Sequence, residues 1–350
     1  MKIESIELRL LELPRRERFV IATGSSDVVR NWLVKVTVDG STGHGCAAPN
    51  SVTRETAEGI ETSLLRLRDR LQGHEVDGPT DLSRRMDEAL SRASAAKAGL
   101  DLAFHDALAR GKGQPLAEFL GGKCGPVLTD MTIGIMPLKE TVEKARANVS
   151  NGFKALKLKV GTSMKDDVAR VLAVRATIGE SVALRIDANQ GYSERKALRF
   201  IEAIKGAGVE LVEQPVKAAW WNPMARISAA SPIPVMADET VRSFEDVERA
   251  FDLGISHINV KLAKCGGIHQ AQRIAELARE RGGKIMVGCM GESGISLAGA
   301  LHFASAYSDV VRWADLDSQF MLVRDGCRPL DFRDGMLWPK GPGNGAELQS

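Results

Sequence analysis

The sequence contains little of what marks a secreted, membrane-bound or nucleic-acid-binding protein. Its five cysteines are odd in number, lack a CxxC spacing and are too sparse for a disulfide scaffold, so we expect a reducing cytoplasm. No apolar run approaches the roughly 18 residues that span a membrane, and the charged N-terminal residues do not predict a signal peptide. Lysine and arginine total 47 against 45 aspartate and glutamate, without a dense basic block, which argues against nucleic acid and lipid as partners.

Histidine is also scarce, and the six histidines are scattered without the spacing of zinc ligands. The remaining composition, 44% apolar and 26% charged, is typical of a globular protein that binds small molecules. At 350 residues the chain exceeds the length at which a single core usually stops growing, so we predict one large domain and a smaller one.

The first third of the chain predicts a small antiparallel sheet with helices packed on it. β-type residues dominate Ile3 to Leu13 and Trp32 to Val38, and Asp39-Gly40 is a tight-turn signal. Apolar residues then recur at helical spacing from Thr53 to Leu71 and from Thr80 to Arg110.

Short β-rich runs alternate with amphipathic stretches in the rest of the chain, which is typical of βα units around a parallel sheet. Strand starts recur about every 25 residues, and eight such units favour a closed barrel over an open sheet. The predicted strands are Leu128 to Ile135, Ala155 to Val160, Ala183 to Asn189, Val209 to Pro215, Pro234 to Glu239, His257 to Leu262, Lys284 to Cys289 and Val310 to Asp317.

Three carboxylates stand at the ends of consecutive predicted strands, where barrel enzymes place their catalytic groups. Asp187, Glu213 and Asp238 are separated by 26 and 25 residues, one strand-helix unit each. Oxygen ligands without histidine or cysteine favour Mg²⁺. A solvated surface cluster is the alternative, but the apolar Leu211-Val212 beside Glu213 argues against it.

Lysines occupy two other predicted strand ends. Lys157 and Lys159 point the same way because they are two apart on one strand. Lys159 and Lys261 lie on strands 2 and 6, which face each other in a ring of eight, so the two amines address opposite faces of one carbon. This arrangement predicts removal and return of a proton beside a carboxylate, with Mg²⁺ stabilising the enediolate. Crowding by Lys157 and by the metal predicts a neutral amine as the base.

Asp315 and Asp317 end the eighth predicted strand, opposite the metal side of the ring. Two carboxylates there indicate a substrate with a carboxylate at one end and an amine at the other. A capped strand end is the structural alternative.

These residues resemble the enolase superfamily, its muconate lactonizing enzyme subgroup and most closely the dipeptide epimerases, over essentially the whole chain. The motifs that carry the resemblance are Lys157-Leu158-Lys159, Asp187-Ala188-Asn189, Glu213-Gln214-Pro215, Ala237-Asp238-Glu239, Asn259-Val260-Lys261-Leu262, Gly288-Cys289-Met290-Gly291-Glu292 and Asp315-Leu316-Asp317. The use of lysine bases with Mg²⁺ is known chemistry of that superfamily.

The resemblance implies the α/β class, a modified TIM barrel (β/α)₇β with an α+β capping domain. Residues 1–124 would form the cap, 125–322 the barrel, and 323–350 a segment returning to the cap. The resemblance also implies a role for each polar side chain: ligation of one Mg²⁺ by Asp187, Glu213 and Asp238, acid/base catalysis by Lys159 and Lys261, binding of the substrate carboxylate by Lys157, and binding of the ammonium group by Asp315 and Asp317.

The implied activity is Mg²⁺-dependent epimerisation at Cα of the C-terminal residue of an L,L-dipeptide. Members that act on Ala-Glu can carry an arginine in the first capping loop, Phe19 to Arg30, where this chain has Gly24. We therefore assign Gly24 to the substrate side and expect a dipeptide other than Ala-Glu.

Other activities fit parts of the same pattern. N-acylamino acid racemases, o-succinylbenzoate synthases and muconate cycloisomerases would use the same lysines, but their substrates offer the aspartate pair no amine. A phosphate-binding barrel is suggested by Gly266-Gly267 and Gly288, although such glycines more often serve tight strand-to-helix turns. A noncatalytic barrel is the third alternative, and a homo-oligomer is compatible with all of them.

Overall fold

The N-terminal strands form an antiparallel sheet in the computed structural model, which describes residues 1–22 and 24–349. Its strands are β1 (Ile3–Ile21), β2 (Gly24–Val38) and β3 (Ser41–Ala47), in the order β1-β2-β3. The predicted turn at Asp39-Gly40 is confirmed, with both residues at positive φ. The loop that we predicted to begin at Phe19 is instead the tip of a long hairpin. Pro14 is tolerated because β1 is an edge strand, and the pairing with β2 shifts register after it.

The helices that follow this sheet are α1 (Ala57–Leu71), α2 (Pro79–Ala89), α3 (Ser94–Gly111) and the short α4 (Leu116–Phe119). Helices α1 and α3 pack on the sheet, and α2 and α4 pack against α3. The single helical run that we predicted from Thr80 to Arg110 is two helices, because Ala93 adopts a left-handed φ of 76° and interrupts the helical hydrogen bonds of the backbone. The apolar stripe of α1, formed by Ile60, Leu64 and Leu67, is fully buried against the sheet and α3.

Eight parallel strands in sequential order form the barrel, which confirms the predicted fold class. They are β5 (Met131–Ile133), β6 (Ala155–Lys159), β7 (Ala183–Asp187), β8 (Val209–Glu213), β9 (Val235–Ala237), β10 (His257–Val260), β11 (Lys284–Gly288) and β12 (Val311–Asp315), and β4 (Val127–Leu128) precedes them. A bridge between Thr129 and Ala314 brings the first barrel strand beside the last one.

Helices surround these strands. They are α5 (Leu138–Ser150), α6 (Met164–Ile178), α7 (Glu194–Ile204), α8 (Trp221–Ala230), α9 (Phe244–Asp252), α10 (Leu262–Cys265), α11 (Ile268–Arg281), α12 (Gly294–Ala306) and α13 (Ser318–Met321). In the described part of the chain, no helix combines the length and apolar character needed to cross a membrane. Strand β13 (Asp331–Arg333) pairs with β14 (Met336–Trp338), which pairs with β4 and completes the fold.

The barrel interior contains an apolar cluster below its charged mouth. Leu211, Met236, Met286 and Trp313, each at the middle of its strand, pack together there. The side chains at the strand ends are lysines and carboxylates, so polar groups collect at the C-terminal mouth that barrel enzymes use.

The N-terminal sheet lies over this mouth and is tied to it by hydrogen bonds. Asn31 on β2 donates from Nδ2 to the Gly291 carbonyl at 3.1 Å and accepts from the Ser293 amide at 2.8 Å, which anchors the loop after β11. The C-terminal segment returns to the same sheet, since the Val323 amide donates to the Pro14 carbonyl at 2.8 Å. The mouth is therefore built from both chain ends.

Glycine permits the closest approach between the sheet and its helices. A Cβ on Gly43 of β3 would lie 2.1 Å from the Ala103 carbonyl oxygen and 2.2 Å from the Ala107 nitrogen of α3. Both atoms belong to backbone, so no side-chain rotation relieves the clash.

We predict that Gly43→Ala destabilises the protein by about 1–3 kcal/mol, because β3 and α3 must separate to admit the methyl group. The matched control is Gly206→Ala, since a Cβ there meets nothing within 4 Å and should change stability by no more than about 1 kcal/mol. Chemical denaturation of both variants measures the difference. Equal midpoints would contradict a steric requirement for glycine at this contact.

Candidate active site

Lysine and carboxylate side chains line the charged mouth of the barrel. Lys157 and Lys159 lie on β6, and Asp187 and Glu213 end β7 and β8 in direct register with each other. Asp238 follows β9, and Lys261, Asp315 and Asp317 stand at the ends of the later strands. The structure therefore brings together the eight polar residues that the sequence predicted, all of them buried.

Lys157 is the centre of this arrangement. Its Nζ lies 2.6 Å from Glu213 Oε2, 2.7 Å from Asp315 Oδ2 and 3.3 Å from Asp187 Oδ2. The side chain is 0% exposed. Burial alone would lower the pKa of Lys157, but the three carboxylates outweigh it and raise that pKa. Lys157 is therefore a fixed positive charge under the mouth.

Lys159 and Lys261 stand on opposite sides of the ring, because β6 and β10 are four strands apart among eight. Lys159 donates to Asp187 Oδ2 at 2.6 Å, and Lys261 donates to Asp238 Oδ2 at 2.8 Å. Both keep a small exposed fraction, 8% and 7%, that Lys157 lacks. Each amine is thus at the surface of the mouth and bonded to a different carboxylate.

Lys261 is bonded to a carboxylate that is also a predicted metal ligand. Burial alone would lower the pKa of Lys261, but Asp238 and Glu213 outweigh burial and raise it. The ammonium form therefore holds while Asp238 serves as its counter-ion. The neutral amine that we expect of the base concerns the site with its metal, and it stays a prediction.

Four buried oxygen atoms on or beside the predicted metal ligands accept no well-aligned hydrogen bond from the described residues. They are Glu213 Oε2, which contacts Lys157 without hydrogen-bond geometry, Glu239 Oε2, Asn189 Oδ1 and Asn259 Oδ1. Burial and the charges of Asp187 and Asp238 raise the pKa of Glu213 to about 7. Unsatisfied oxygen acceptors without histidine or cysteine are the donor set that Mg²⁺ prefers, so the residues present fit this ion.

The loops that carry these ligands contain strained backbone positions, and the side chain of one glutamine holds them in place. Asn189, Gln190 and Gln214 all adopt a left-handed φ, a conformation that costs about 1–3 kcal/mol for a residue with a side chain. Gln214 Oε1 accepts from the amides of Asp238 and Thr240 at 2.9 and 3.0 Å. The glutamine side chain thus fixes the position of Asp238.

Asp315 and Asp317 converge as predicted, although Asp317 has left the strand and precedes α13. Thr132 on β5 contacts both: its hydroxyl donates to Asp315 Oδ1 at 3.3 Å and its amide donates to Asp317 Oδ2 at 2.8 Å. Burial, followed by the charge of Asp315, raises the pKa of Asp317 to about 6.

A third carboxyl group, that of Asp130, lies beside this pair. Oxygen atoms of Asp130, Asp315 and Asp317 lie within 4.8 Å of one another, the one such group of metal-type ligands among the described residues. Two cations already contact it, since Lys157 donates to Asp315 and Arg185 donates to Asp130, at 2.7 and 2.8 Å. The predicted ligands Asp187 and Asp238 are likewise bonded to cations, Lys159 and Lys261, so these contacts do not rank the two sides of the mouth as places for a divalent ion.

Gly24 was predicted to face the substrate. It begins β2 opposite Ile21, within a segment whose side chains lie outside those that the structure describes. Its role stays a prediction.

Several residues of the site escaped the sequence analysis. Lys264 donates to both the carbonyl and Oδ1 of Asp238 at 2.6 Å and to the Asn259 carbonyl at 2.8 Å. Arg185 is buried below Asp130 and bonds Glu210 at 3.0 Å. Arg185 is two residues before Asp187 and so shares its face of β7, a signal that was available. Lys264 follows the strand, and no strand periodicity points to it.

Two family models match the chain. The Mandelate racemase / muconate lactonizing enzyme, N-terminal domain, matches residues 5–121. The Enolase C-terminal domain-like model matches residues 140–350. Together they cover both the sheet over the mouth and the barrel.

Curated relatives align along nearly the whole chain. The hydrophobic dipeptide epimerase of Enterococcus faecalis is 34% identical and covers 92% of both chains. The L-Lys-D/L-Arg epimerase of Desulforapulum autotrophicum is 36% identical and covers 93% of both. A crystal structure of the dipeptide epimerase from Enterococcus faecalis with Mg and the dipeptide L-Leu-L-Tyr superimposes with a TM-score of 0.95 at 32% identity, covering 99% of this chain and 100% of that one.

We predict that Lys264→Met destabilises the protein by about 3–5 kcal/mol, because it removes one partner of a buried ion pair and leaves two carbonyl groups without a donor. Chemical denaturation measures the loss. The matched control is Lys139→Met, whose side chain is 89% exposed and only 4.0 Å from Glu143, so its stability should stay within about 1 kcal/mol of wild type. A Lys264→Met protein as stable as the control would show that Asp238 does not need this lysine.

Proposed function

Because this chain belongs to the mandelate racemase/muconate lactonizing enzyme family of the enolase superfamily, we propose that its mouth carries out proton transfer through Lys159 and Lys261. The enzyme is an isomerase, a Mg²⁺-dependent dipeptide epimerase that acts at Cα of the C-terminal residue through an enediolate. The observation that supports the residue assignment most strongly is the placement of two accessible amines on strands opposite each other.

Charge decides how a dipeptide lies in this mouth. The fixed ammonium group of Lys157 attracts the substrate carboxylate, and Asp315 and Asp317 attract the free amino group. A dipeptide held at both ends presents the Cα of its second residue between β6 and β10. Fixing both termini removes the orientational freedom that otherwise limits the transfer.

One lysine removes the Cα proton and the other returns a proton to the opposite face, which inverts the centre. Each amine must exchange its carboxylate partner for the substrate before it can act as a base. Lys264 is placed to keep Asp238 neutralised when Lys261 turns away, since it bonds the other carboxylate oxygen.

Asp187, Glu213 and Asp238 would hold the Mg²⁺ ion. When bound, the ion supplies positive charge that stabilises the negative charge developing on the substrate carboxylate. Glu213 is the carboxylate of the three with an oxygen that accepts no well-aligned hydrogen bond, and it lies between the other two along the ring.

An N-acylamino acid racemase remains the second candidate because it needs the same lysines and ligands. The buried pair of Asp315 and Asp317 favours the dipeptide, since an acylated nitrogen carries no charge to offset them.

All five cysteines are unpaired thiols, which supports a reducing compartment such as the cytoplasm.

We predict that Lys159→Ala and Lys261→Ala both abolish epimerisation, because inversion needs a base on each face. Each variant should still exchange Cα hydrogen for deuterium in one epimer, the one whose proton faces the remaining lysine. Mass spectrometry of L,L- and L,D-dipeptides after incubation in D₂O distinguishes the two half-reactions.

The control for these variants is Lys205→Ala, on the outside of the barrel with a side chain 57% exposed, which should keep the wild-type rate. An unchanged rate in Lys159→Ala would reject its assignment as a base. Wild-type exchange with N-acylamino acids and with no dipeptide would favour the second candidate.

We predict that a chelator abolishes exchange and that Mg²⁺ restores it. Mg²⁺ at 100 times its dissociation constant should stabilise the wild-type fold by about 2.7 kcal/mol. Glu213→Gln should reduce that stabilisation, measured as the shift in thermal unfolding with and without Mg²⁺. Asp252→Asn is the control, because its carboxylate is exposed and pairs with Arg281 on the barrel exterior. An equal Mg²⁺ shift in Glu213→Gln and wild type would reject Glu213 as a ligand.

A further inference from the structure

Three carboxyl groups are buried close together at the side of the mouth where the amino group of the substrate is expected. Asp130 is 0% exposed, Asp315 6% and Asp317 4%, and their oxygen atoms lie within 4.8 Å of one another. Three negative charges at this separation, away from water, repel one another strongly. Some positive charge or a proton must therefore be present among them.

The lysine and arginine beside the cluster are each shared with other carboxylates. Lys157 bonds Asp315 but also contacts Glu213 and Asp187. Arg185 bonds Asp130 through Nη1 and also bonds Glu210 through Nε, and the side chain of Glu210 is partly exposed. Lys159 also acts on Asp315 but is bonded to Asp187, and Arg15 acts on Asp317. Four cations thus serve six carboxylates, and the cluster keeps an excess of negative charge.

One oxygen atom of Asp130 indicates where a proton offsets the excess negative charge. Oδ2 accepts from Arg185 Nη1 at 2.8 Å, whereas Oδ1 is buried and has no hydrogen-bond partner among the described residues. If Asp130 were ionised, its Oδ1 would be a buried acceptor that has lost its hydrogen bonds to water and formed none within the protein. As a hydroxyl, the same atom becomes a donor beside the carboxylate of Asp315.

We propose that Asp130 is protonated in the working enzyme and donates this proton in a hydrogen bond to Asp315, which stays ionised. Asp130 is then a positioning residue: it fixes Asp315 for the ammonium group of the dipeptide without touching the substrate. This inference rests on the proposed role of Asp315 in ammonium binding.

The electrostatic surroundings agree with a proton on Asp130 and an ionised Asp315. Burial, followed by the charge of Asp315, raises the pKa of Asp130 well above its ordinary value, although Arg185 and Lys157 oppose the rise. Burial would also raise the pKa of Asp315, but Lys157 on β6 outweighs it and lowers that pKa. The other charged groups near the pair are Lys159, which also lowers the pKa of Asp315, and Asp317, which is itself faced by Arg15.

Infrared spectroscopy tests the proton directly. In protein labelled with ¹³C in the aspartate carboxyl groups, we expect the carbonyl band of a protonated carboxylic acid in the wild type at about pH 8, and we expect Asp130→Asn to remove it. At that pH Asp317 is ionised, because its pKa is about 6, and unlabelled glutamates do not contribute. A wild type without the band, or a band that survives in Asp130→Asn, would overturn the proposal.

Kinetics test the positioning role. Asp130→Ala should raise the KM for dipeptides about tenfold or more, the effect of losing a hydrogen bond to a charged group, with a smaller change in kcat. Asp130→Asn, whose amide can still donate to Asp315, should recover most of that loss. If Asp130→Asn is impaired as much as Asp130→Ala, the negative charge of Asp130 is what matters and the proposal is wrong.

Two further measurements distinguish a shared proton from an effect of Arg185 and from a bound metal. Glu210→Gln removes a carboxylate from Arg185 without touching Asp315, so its KM should match wild type, and a tenfold rise would mean that the effect passes through Arg185 instead. Calorimetric titration should show one Mg²⁺ site per chain, and a second site lost in Asp130→Asn would mean that a metal, not a proton, joins the carboxylates.

If Asp130→Ala does not fold, the infrared result for Asp130→Asn still decides. Absence of dipeptide exchange in the wild type would reject the proposed function and leave the infrared result standing.

Discussion

The ammonium group of Lys157 holds the barrel mouth together. It is fully buried and contacts carboxylates from three other strands, so it links β6 to β7, β8 and β12 at one point. Removing a charge of this kind from water is costly, and only close pairing with opposite charge makes it tolerable. A mouth without this lysine would leave three carboxylates facing one another inside the protein.

The rest of the mouth follows from the same need for compensation. Lys159 and Lys261 each bond a carboxylate that the proposed metal would share. In the proposed reaction, binding of the ion and of the substrate would free these amines to act as bases. The contacts that neutralise the buried charges would then be the contacts that are exchanged during the reaction.

The sheet over the mouth contributes position more than charge. Asn31 bonds the loop after β11 on both sides, and the glycine contact between β3 and α3 sets how close the sheet and its helices lie. These contacts fix how the sheet and its helices lie over the mouth.

Local patterns in the sequence were enough to predict the barrel, its strand order and the eight polar residues at its mouth, because strand periodicity and the spacing of βα units place side chains on a known face. They also predicted that two lysines oppose each other, since ring position follows from strand count. Which charges pair depends on how the strands are arranged in three dimensions. Lys264, Arg185 and Asp130 become part of the site through contacts between strands distant in the chain, and the protonation of Lys261 depends on the distance to Asp238, which no local pattern encodes.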